Sequence, residues 1–484
     1  MELIKLLNDI EYYTVNGDVH LDIKNICYDS RKVTQGSLFV AIEGFKTDGH
    51  QFIRQAVDNG AVAVVVTRDI PLPDGVSVVK VEDSRLSLAA LSRAFYDYPD
   101  KRLHLIGVTG TNGKTSVTYM VKSILEQSGR KVGLIGTIQN MISDVVLHTE
   151  RTTPESSDLY ALFRQMADAG IQDVVMEVSS HSLALNRVAG CRFDIGIFTN
   201  LTEDHLDFHS NMDDYFAAKL KLFQNSGVIA TNVDDSYGVK LKDMFVSKTV
   251  YTYGIEREAH VTASNILSDA KGSTFDIDIF GDRRPVIINI PGRFSVYNAL
   301  AAAAACYAMG VSADDISKGL QALKSVPGRF EVLGTDTDFT VIIDYAHTPD
   351  GLENILKSVK DIAKGRVIAL FGCGGDRDAA KRPIMGEIGG RYADFCILTS
   401  DNPRSEDPMA IIRQIEEGIR KTHCPYIVIE NRRQAIKYGL QTARKDDILL
   451  LAGKGHETYQ ILKDKTIHFD EREVVRELLE DEKQ

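Results

Sequence analysis

The 484-residue chain has six cysteines (Cys27, Cys191, Cys306, Cys373, Cys396 and Cys424), and no two stand at CxxC spacing. A zinc site is therefore not suggested, and scattered thiols in a chain of this length fit a reducing, cytoplasmic setting. Long apolar runs are also missing. The longest, residues 299–309, is Ala-rich like a packed helix, and it falls well short of the roughly 20 residues that cross a bilayer. The first residues lack the apolar core of a signal peptide, so no export is expected. Positive charge is in deficit: the formal net charge is -12, which argues against a nucleic-acid partner. An anionic small molecule would have to be met locally, by Arg, Lys, backbone N–H groups and metal ions. Internal repeats and low-complexity tracts are absent.

What remains is an ordinary globular composition, 44% hydrophobic and 26% charged, in a chain long enough for about three domains. Residues 38–42, 61–66 and 76–81 read as buried strands and 84–96 as a helix, ending before the stop at Tyr98-Pro99-Asp100. From Leu103 the rhythm becomes strand, glycine turn, helix. Strands are predicted at 103–108, 132–135, 173–178, 195–198 and 228–230, an antiparallel stretch at 275–290, and an Ala-rich helix after Asn298. A second α/β rhythm starts near Phe330, with strands at 341–343, 367–371, 395–398, 426–429 and 448–451. Each is followed by a polar or glycine-rich loop, where open α/β sheets place ligands. The predicted domains are 1–98, 99–328 and 329–484.

Gly110-Thr111-Asn112-Gly113-Lys114-Thr115-Ser116 lies between an apolar strand and a helix, the context of a phosphate-binding loop. Glycines let N–H groups approach phosphate oxygens, Lys114 brings charge to the terminal phosphates, and the Thr115 hydroxyl can hold Mg²⁺. The full pattern has glycine at position 108, where this chain has Val108. Glu177, ending the apolar run 174–178, is placed to position a metal beside such a loop; the competing reading is a solvated strand-end carboxylate. His205 and His209 stand among Glu203, Asp204 and Asp207, as metal ligands or as hydrogen-bonded structural histidines. Lys219 reads on pattern alone as an exposed helical lysine.

Together with Tyr28-Asp29-Ser30-Arg31, Thr152-Thr153-Pro154, Tyr297-Asn298-Ala299, Gly328-Arg329-Phe330, Asp344-Tyr345-Ala346-His347-Thr348-Pro349, Gly374-Gly375-Asp376-Arg377 and Asp401-Asn402-Pro403-Arg404, these strings resemble the Mur ligase family over essentially the whole chain. The resemblance implies a central P-loop domain with a doubly wound, mostly parallel sheet. Flanking it would be a small α/β N-terminal domain that holds a UDP substrate and a Rossmann-like C-terminal domain that holds an amino acid. It implies ATP and Mg²⁺, with Glu177, His205, Thr115 and a carbamylated Lys219 serving the metal, and Asn298 and Arg329 serving ATP. Ser30, Thr152, Thr153, Ser179 and Arg187 would hold UDP-MurNAc-L-Ala-D-Glu. The family often has Gln where this chain has Leu185.

Arg404 resembles the branch that adds meso-diaminopimelate. A guanidinium matches that substrate's distal carboxylate and repels the lone ammonium of lysine; the competing reading is a surface ion pair with Glu406 or Asp407. Arg377, Asp401, Asn402, Pro403, Gly453 and Glu457 would complete the pocket. A monomer is expected. The alternatives are a lysine-adding homologue, a folylpolyglutamate-synthase-like ligase and a nucleotide-binding scaffold. Retention of Lys114, Thr115, Glu177, His205 and Lys219 opposes the scaffold. The string 372–375 is not GxGxxG, which opposes a dehydrogenase.

Overall fold

The computed structural model describes residues 1–44, 47–71, 75–206 and 208–481. The chain forms two compact units. One consists of Met1–Thr109, Arg130–Ile197 and Asp213–Ile229, the other of Gly110–Gly129, Phe198–Met212 and Ala230–Gln484.

In the first unit, the β-branched run Ala61–Val66 forms a strand between Ser37–Val40 and Ser77–Lys80, parallel to both. Asn25–Cys27 flanks this sheet on one side, and the antiparallel strand Thr14–Asn16 on the other. Helix Ser84–Phe95 buries Leu88, Leu91 and Ala94 in the core under the sheet. It begins at Asp83, whose carboxylate accepts from the N–H groups of Arg85 (2.8 Å) and Leu86 (3.0 Å), a cap that contributes about 1 kcal/mol.

A second sheet of this unit has His104–Thr109 between Phe193–Phe198 and Asp173–Glu177, with Val132–Ile135 next. The 173–177 strand is parallel to both of its neighbours. Its register sets Glu177 opposite Val108, just before the glycine loop leaves the strand. An antiparallel hairpin of Asn140–Ile142 and Val145–Leu147 extends the sheet. Its three-residue strands are too short to register as a period.

In the second unit, helix Lys114–Gln127 packs on Ala313–Ala322. A Cβ on Gly319 would lie 2.4 Å from the Ile124 Cα, and the Ser123 hydroxyl donates to the Gly319 carbonyl at 2.7 Å. Arg293–Ala308 is buried on every side from Asn298 to Cys306, as an Ala-rich helix apolar all round should be. The predicted antiparallel stretch is present as Val261–Asp269, Gly272–Ile279 and Asp282–Ile288.

A six-stranded sheet follows in the order Glu331–Leu333, Thr340–Asp344, Ile448–Ala452, Val367–Phe371, Phe395–Leu398 and Tyr426–Val428. All neighbours are parallel except the first pair. Every residue of Val367–Phe371 and Ile448–Ala452 is buried, each large side chain contributing about 1.5–3 kcal/mol. Because these strands are parallel, the loops after Asp344, Phe371, Leu398 and Ala452 leave from one edge, the ligand-facing edge of such sheets. Among the described residues no helix is long and apolar enough to cross a membrane.

Candidate functional site

The glycine loop 110–113 owes its shape to two backbone conformations that favour glycine. Gly110 has φ 151° and Gly113 φ 87°. There is also no room for a side chain, since a Cβ on Gly110 would lie 1.8 Å from Thr199 Oγ1 and one on Gly113 2.4 Å from Asn298 Oδ1. Asn298 therefore sits directly against the loop. The Lys114 ammonium donates to the carbonyls of Gly110 (3.0 Å) and Thr111 (2.8 Å). Thr115 Oγ1 accepts from Arg329 Nη2 at 3.1 Å, and the Arg329 guanidinium lies 4.8 Å from the centroid of the Tyr345 ring. Asn112 donates its amide N–H to Asn200 Oδ1 (2.9 Å) and its side-chain N–H to Asp350 Oδ2 (2.6 Å). Ser116 is buried in the first turn of the following helix. The sequence-predicted nucleotide residues of this unit (110–116, Asn298 and Arg329) thus converge on one loop.

His456 joins this neighbourhood, with its ring 4.8 Å from Tyr345 and its Nδ1 buried without a hydrogen-bond partner among the described residues. Burial, and then the nearby Arg329, push its pKa down to about 3. The folded protein therefore binds fewer protons here than the unfolded chain between pH 6.5 and about 3. Stability contributed by neutral His456 is complete above 6.5 and is lost as pH falls through that window, at up to about 1.4 kcal/mol per pH unit. Denaturant titrations from pH 7 to 4.5 should show that slope reduced in His456→Gln; identical slopes would show that His456 does not contribute.

In the first unit Glu177 is buried, contrary to a solvated strand-end carboxylate. Its Oε1 accepts from the Thr137 N–H at 2.8 Å and its Oε2 from the Thr137 hydroxyl at 3.0 Å, with Thr152 Oγ1 3.0 Å from that hydroxyl. Thr153 donates to the Glu177 carbonyl (2.9 Å) and accepts from the Ser179 N–H (3.2 Å). Arg187 Nη1 donates to the Thr153 carbonyl at 3.3 Å, and its Nε lies 3.2 Å from Glu155. Buried Glu155 also faces Arg85 (3.4 Å) and Arg151 (3.7 Å). Three guanidiniums around one carboxylate leave positive charge for an anionic ligand. Neither Arg85 nor Arg151 stands out in the sequence, because their convergence needs the fold. Ser30, buried, donates to Gln55 Oε1 at 2.8 Å.

Lys219 departs from the pattern-based expectation. On helix Met212–Gln224 it is 1% exposed, with its ammonium 4.4 Å from the centroid of the Tyr215 ring. Desolvating a lysine so fully is costly, which sets this position apart from a surface helix residue. His205 is exposed and has φ 55°, with Asp204 Oδ2 3.5 Å from its Nε2, whereas His209 is buried. Asp207 lies outside the described residues. Among the described residues, three ligand-type side chains come together at Glu43, Asp48 and His50. There Arg68 already pairs with Asp48, and His50 Nε2 accepts from the Thr67 N–H at 3.1 Å.

The loops at the carboxyl edge of the six-stranded sheet gather the remaining predicted residues. Arg404 donates to the Gly375 carbonyl at 2.8 Å, and a Cβ on Gly374 would lie 2.9 Å from Arg404 Nη1. Among the described residues the competing ion pairs are replaced by others: Glu406 pairs with buried Arg382 at 2.8 Å and Asp407 with Arg413 at 3.5 Å. Arg377 donates to the Asp376 carbonyl at 3.1 Å. Asp401 Oδ1 accepts from the Asn402 N–H at 2.7 Å, and its Oδ2 is buried without a hydrogen-bond partner among the described residues. A Cβ on Gly453 would lie 2.9 Å from that oxygen. Asn402 Nδ2 donates to Glu457 Oε2 at 2.9 Å, and the Pro403 carbonyl leaves only 1.9 Å for a Cβ on Gly375. The loop therefore presents a guanidinium and an unsatisfied carboxylate oxygen, complementary to a ligand with both a carboxylate and an ammonium.

The Mur ligase family catalytic-domain, middle-domain and glutamate-ligase-domain models match residues 22–96, 108–306 and 328–455. A UDP-N-acetylmuramoyl-L-alanyl-D-glutamate--2,6-diaminopimelate ligase of Caldanaerobacter subterraneus subsp. tengcongensis is 54% identical over 480 residues, 99% of each chain. A ligase of the same name, numbered 1, from Clostridium acetobutylicum is 51% identical over 99% of this chain and 100% of its own length. A solved structure of a ligase of that name is 30% identical with a TM-score of 0.71, covering 100% of this chain and 99% of that one.

Proposed function

The chain belongs to the Mur ligase family, and from that premise we propose that it adds meso-diaminopimelate to the D-Glu γ-carboxyl of UDP-MurNAc-L-Ala-D-Glu. The products would be the UDP-MurNAc-tripeptide, ADP and phosphate, a cytoplasmic step of peptidoglycan precursor synthesis. The amino-acid assignment rests on one loop that carries both Arg404 and Asp401, whose Oδ2 has no hydrogen-bond partner among the described residues. A lysine side chain could use the carboxylate but would meet the guanidinium as a like charge.

A carboxylate is a poor electrophile toward an amine. In the first step a γ-carboxylate oxygen of D-Glu forms a bond to the ATP γ-phosphorus while the bond from that phosphorus to the β,γ-bridging oxygen breaks, releasing ADP and leaving an acyl phosphate. Lys114 would exchange its contacts with the loop carbonyls for the β- and γ-phosphate oxygens. The loop N–H groups bind the same oxygens. In the second step the free amine of diaminopimelate attacks the acyl carbon, phosphate leaves, and the nitrogen loses a proton.

Taken residue by residue, the donor types suit Mg²⁺. Glu177 is a buried carboxylate whose Thr137 donors are uncharged, and Thr115 contributes a hydroxyl. With His205 and a carbamylated Lys219 these residues would hold the ion, which supplies positive charge to the transferring phosphoryl oxygens.

The test is a panel of amino acids offered with ATP and the UDP-dipeptide, reading ADP formation and product mass. Diaminopimelate should give ADP and a tripeptide; ADP formation with L-lysine alone would move the chain to the lysine-adding branch. Turnover that required a folate in place of the UDP-dipeptide would revive the folylpolyglutamate-synthase reading.

A further inference from the structure

Lys454 is not among the residues predicted for the amino-acid pocket, yet it is 0% exposed, unusual for a lysine, and it bonds two residues that are, Asn402 and Glu457. Its ammonium donates to Glu457 Oε2 at 2.9 Å and approaches Asn402 Oδ1 at 3.3 Å. Asn402 Oδ1 also accepts from the Ile461 N–H (2.9 Å), and its Nδ2 donates to the same Glu457 Oε2 (2.9 Å). This network fixes the Asn402 amide in one orientation. It also gives Glu457 Oε2 two donors, which hold that carboxylate in place.

We propose that Lys454 is a positioning residue that orients Glu457 and Asn402 and holds the pocket at charge balance, so that it favours an amino acid with a zwitterionic distal end over one with a lone ammonium. The inference rests on the diaminopimelate reading above. Residues 374–382, 401–406 and 453–457 together carry five carboxylates and five Lys or Arg cations, and His456 is neutral near pH 7. A distal end with both an ammonium and a carboxylate leaves that balance intact, whereas the lysine ammonium adds one uncompensated charge. Without Lys454 the pocket would have one negative charge in excess, would release Glu457 Oε2, and would accept a lone ammonium more readily.

The experiment measures kcat/KM for diaminopimelate and for L-lysine with wild type, Lys454→Met and Lys454→Gln, alongside the KM for ATP. Both variants should lower the diaminopimelate-to-lysine ratio by roughly tenfold or more while the KM for ATP stays within about twofold. A purely structural lysine would depress both amino acids equally and leave the ratio unchanged, which overturns the proposal. Restoration of the ratio by glutamine would also overturn it, assigning the effect to hydrogen bonding instead of charge. Should neither variant fold, wild type decides the matter through competition against diaminopimelate by L-lysine and by L-2-aminohexanoate, the same chain with a neutral end. The neutral-ended analogue should compete at least as well as L-lysine. Competition by L-lysine more than about tenfold stronger would mark an ammonium-seeking pocket and sink the idea. Failure of wild type to form ADP with diaminopimelate at all is a different outcome and refutes the underlying reading.

Discussion

Lys114→Ala is expected to lower ADP and phosphate formation by roughly 10³-fold, because it removes the one side-chain cation that the glycine loop carries to the terminal phosphates. Its effect should fall on kcat more than on the KM for the UDP-dipeptide. Thr152, Thr153, Ser179 and Arg187, the residues proposed for the dipeptide, belong to a hydrogen-bonded network around Glu177. The fold should survive: the lysine head donates to carbonyls of its own loop, and alanine is a strong helix former at the start of Lys114–Gln127. Steady-state kinetics with a coupled ADP assay, paired with thermal unfolding, separates the two effects. Near-wild-type turnover by a folded Lys114→Ala protein would refute the phosphate-loop assignment.

Arg404→Ala carries the second large effect. On the proposed reading, losing a charge-assisted pair to the distal carboxylate of diaminopimelate should raise that substrate's KM by roughly 10- to 100-fold. The KM for ATP should stay nearly constant. Some of the cost is structural, because Arg404 also ties the Gly375 carbonyl at 2.8 Å. Arg404→Lys controls for that: it keeps the charge and loses the fork, and should fall between wild type and alanine. Parallel rises in the KM values of ATP and diaminopimelate would take Arg404 out of the amino-acid pocket.

Much of the fold is written in local pattern. The strands Ala61–Val66, Val132–Ile135, Val367–Phe371 and Phe395–Leu398 have the predicted bounds, because continuous β-branched or aliphatic runs between turns leave few other readings. The strand Ser226–Asn232 is longer than the apolar run inside it, since Thr231 and Asn232 are polar residues buried by the fold. The hairpin at 140–147 was invisible for the opposite reason: its residues 145 and 146 are exposed, and three-residue strands have no measurable period.

The site divides in the same way. The glycine loop is a local object, with a strand, two glycines, a lysine and a threonine at fixed spacing, so the expectation placed on residues 110–115 comes from order alone. The resemblance to a known family supplied Lys219, which periodicity misjudged, since burial of a helical lysine depends on what packs over it. Only the tertiary structure revealed the three guanidiniums around Glu155 and the pairing of Lys454 with Glu457. Arg85, Arg151 and Arg187 are far apart in sequence, and Lys454 meets Asn402 across 52 positions. By itself the sequence determined the α/β class and the family, and it placed the glycine loop between a strand and a helix. Tertiary packing decided which charges are buried together, because the strength of a charge pair is set by the water excluded around it, and that depends on neighbours that chain order does not specify.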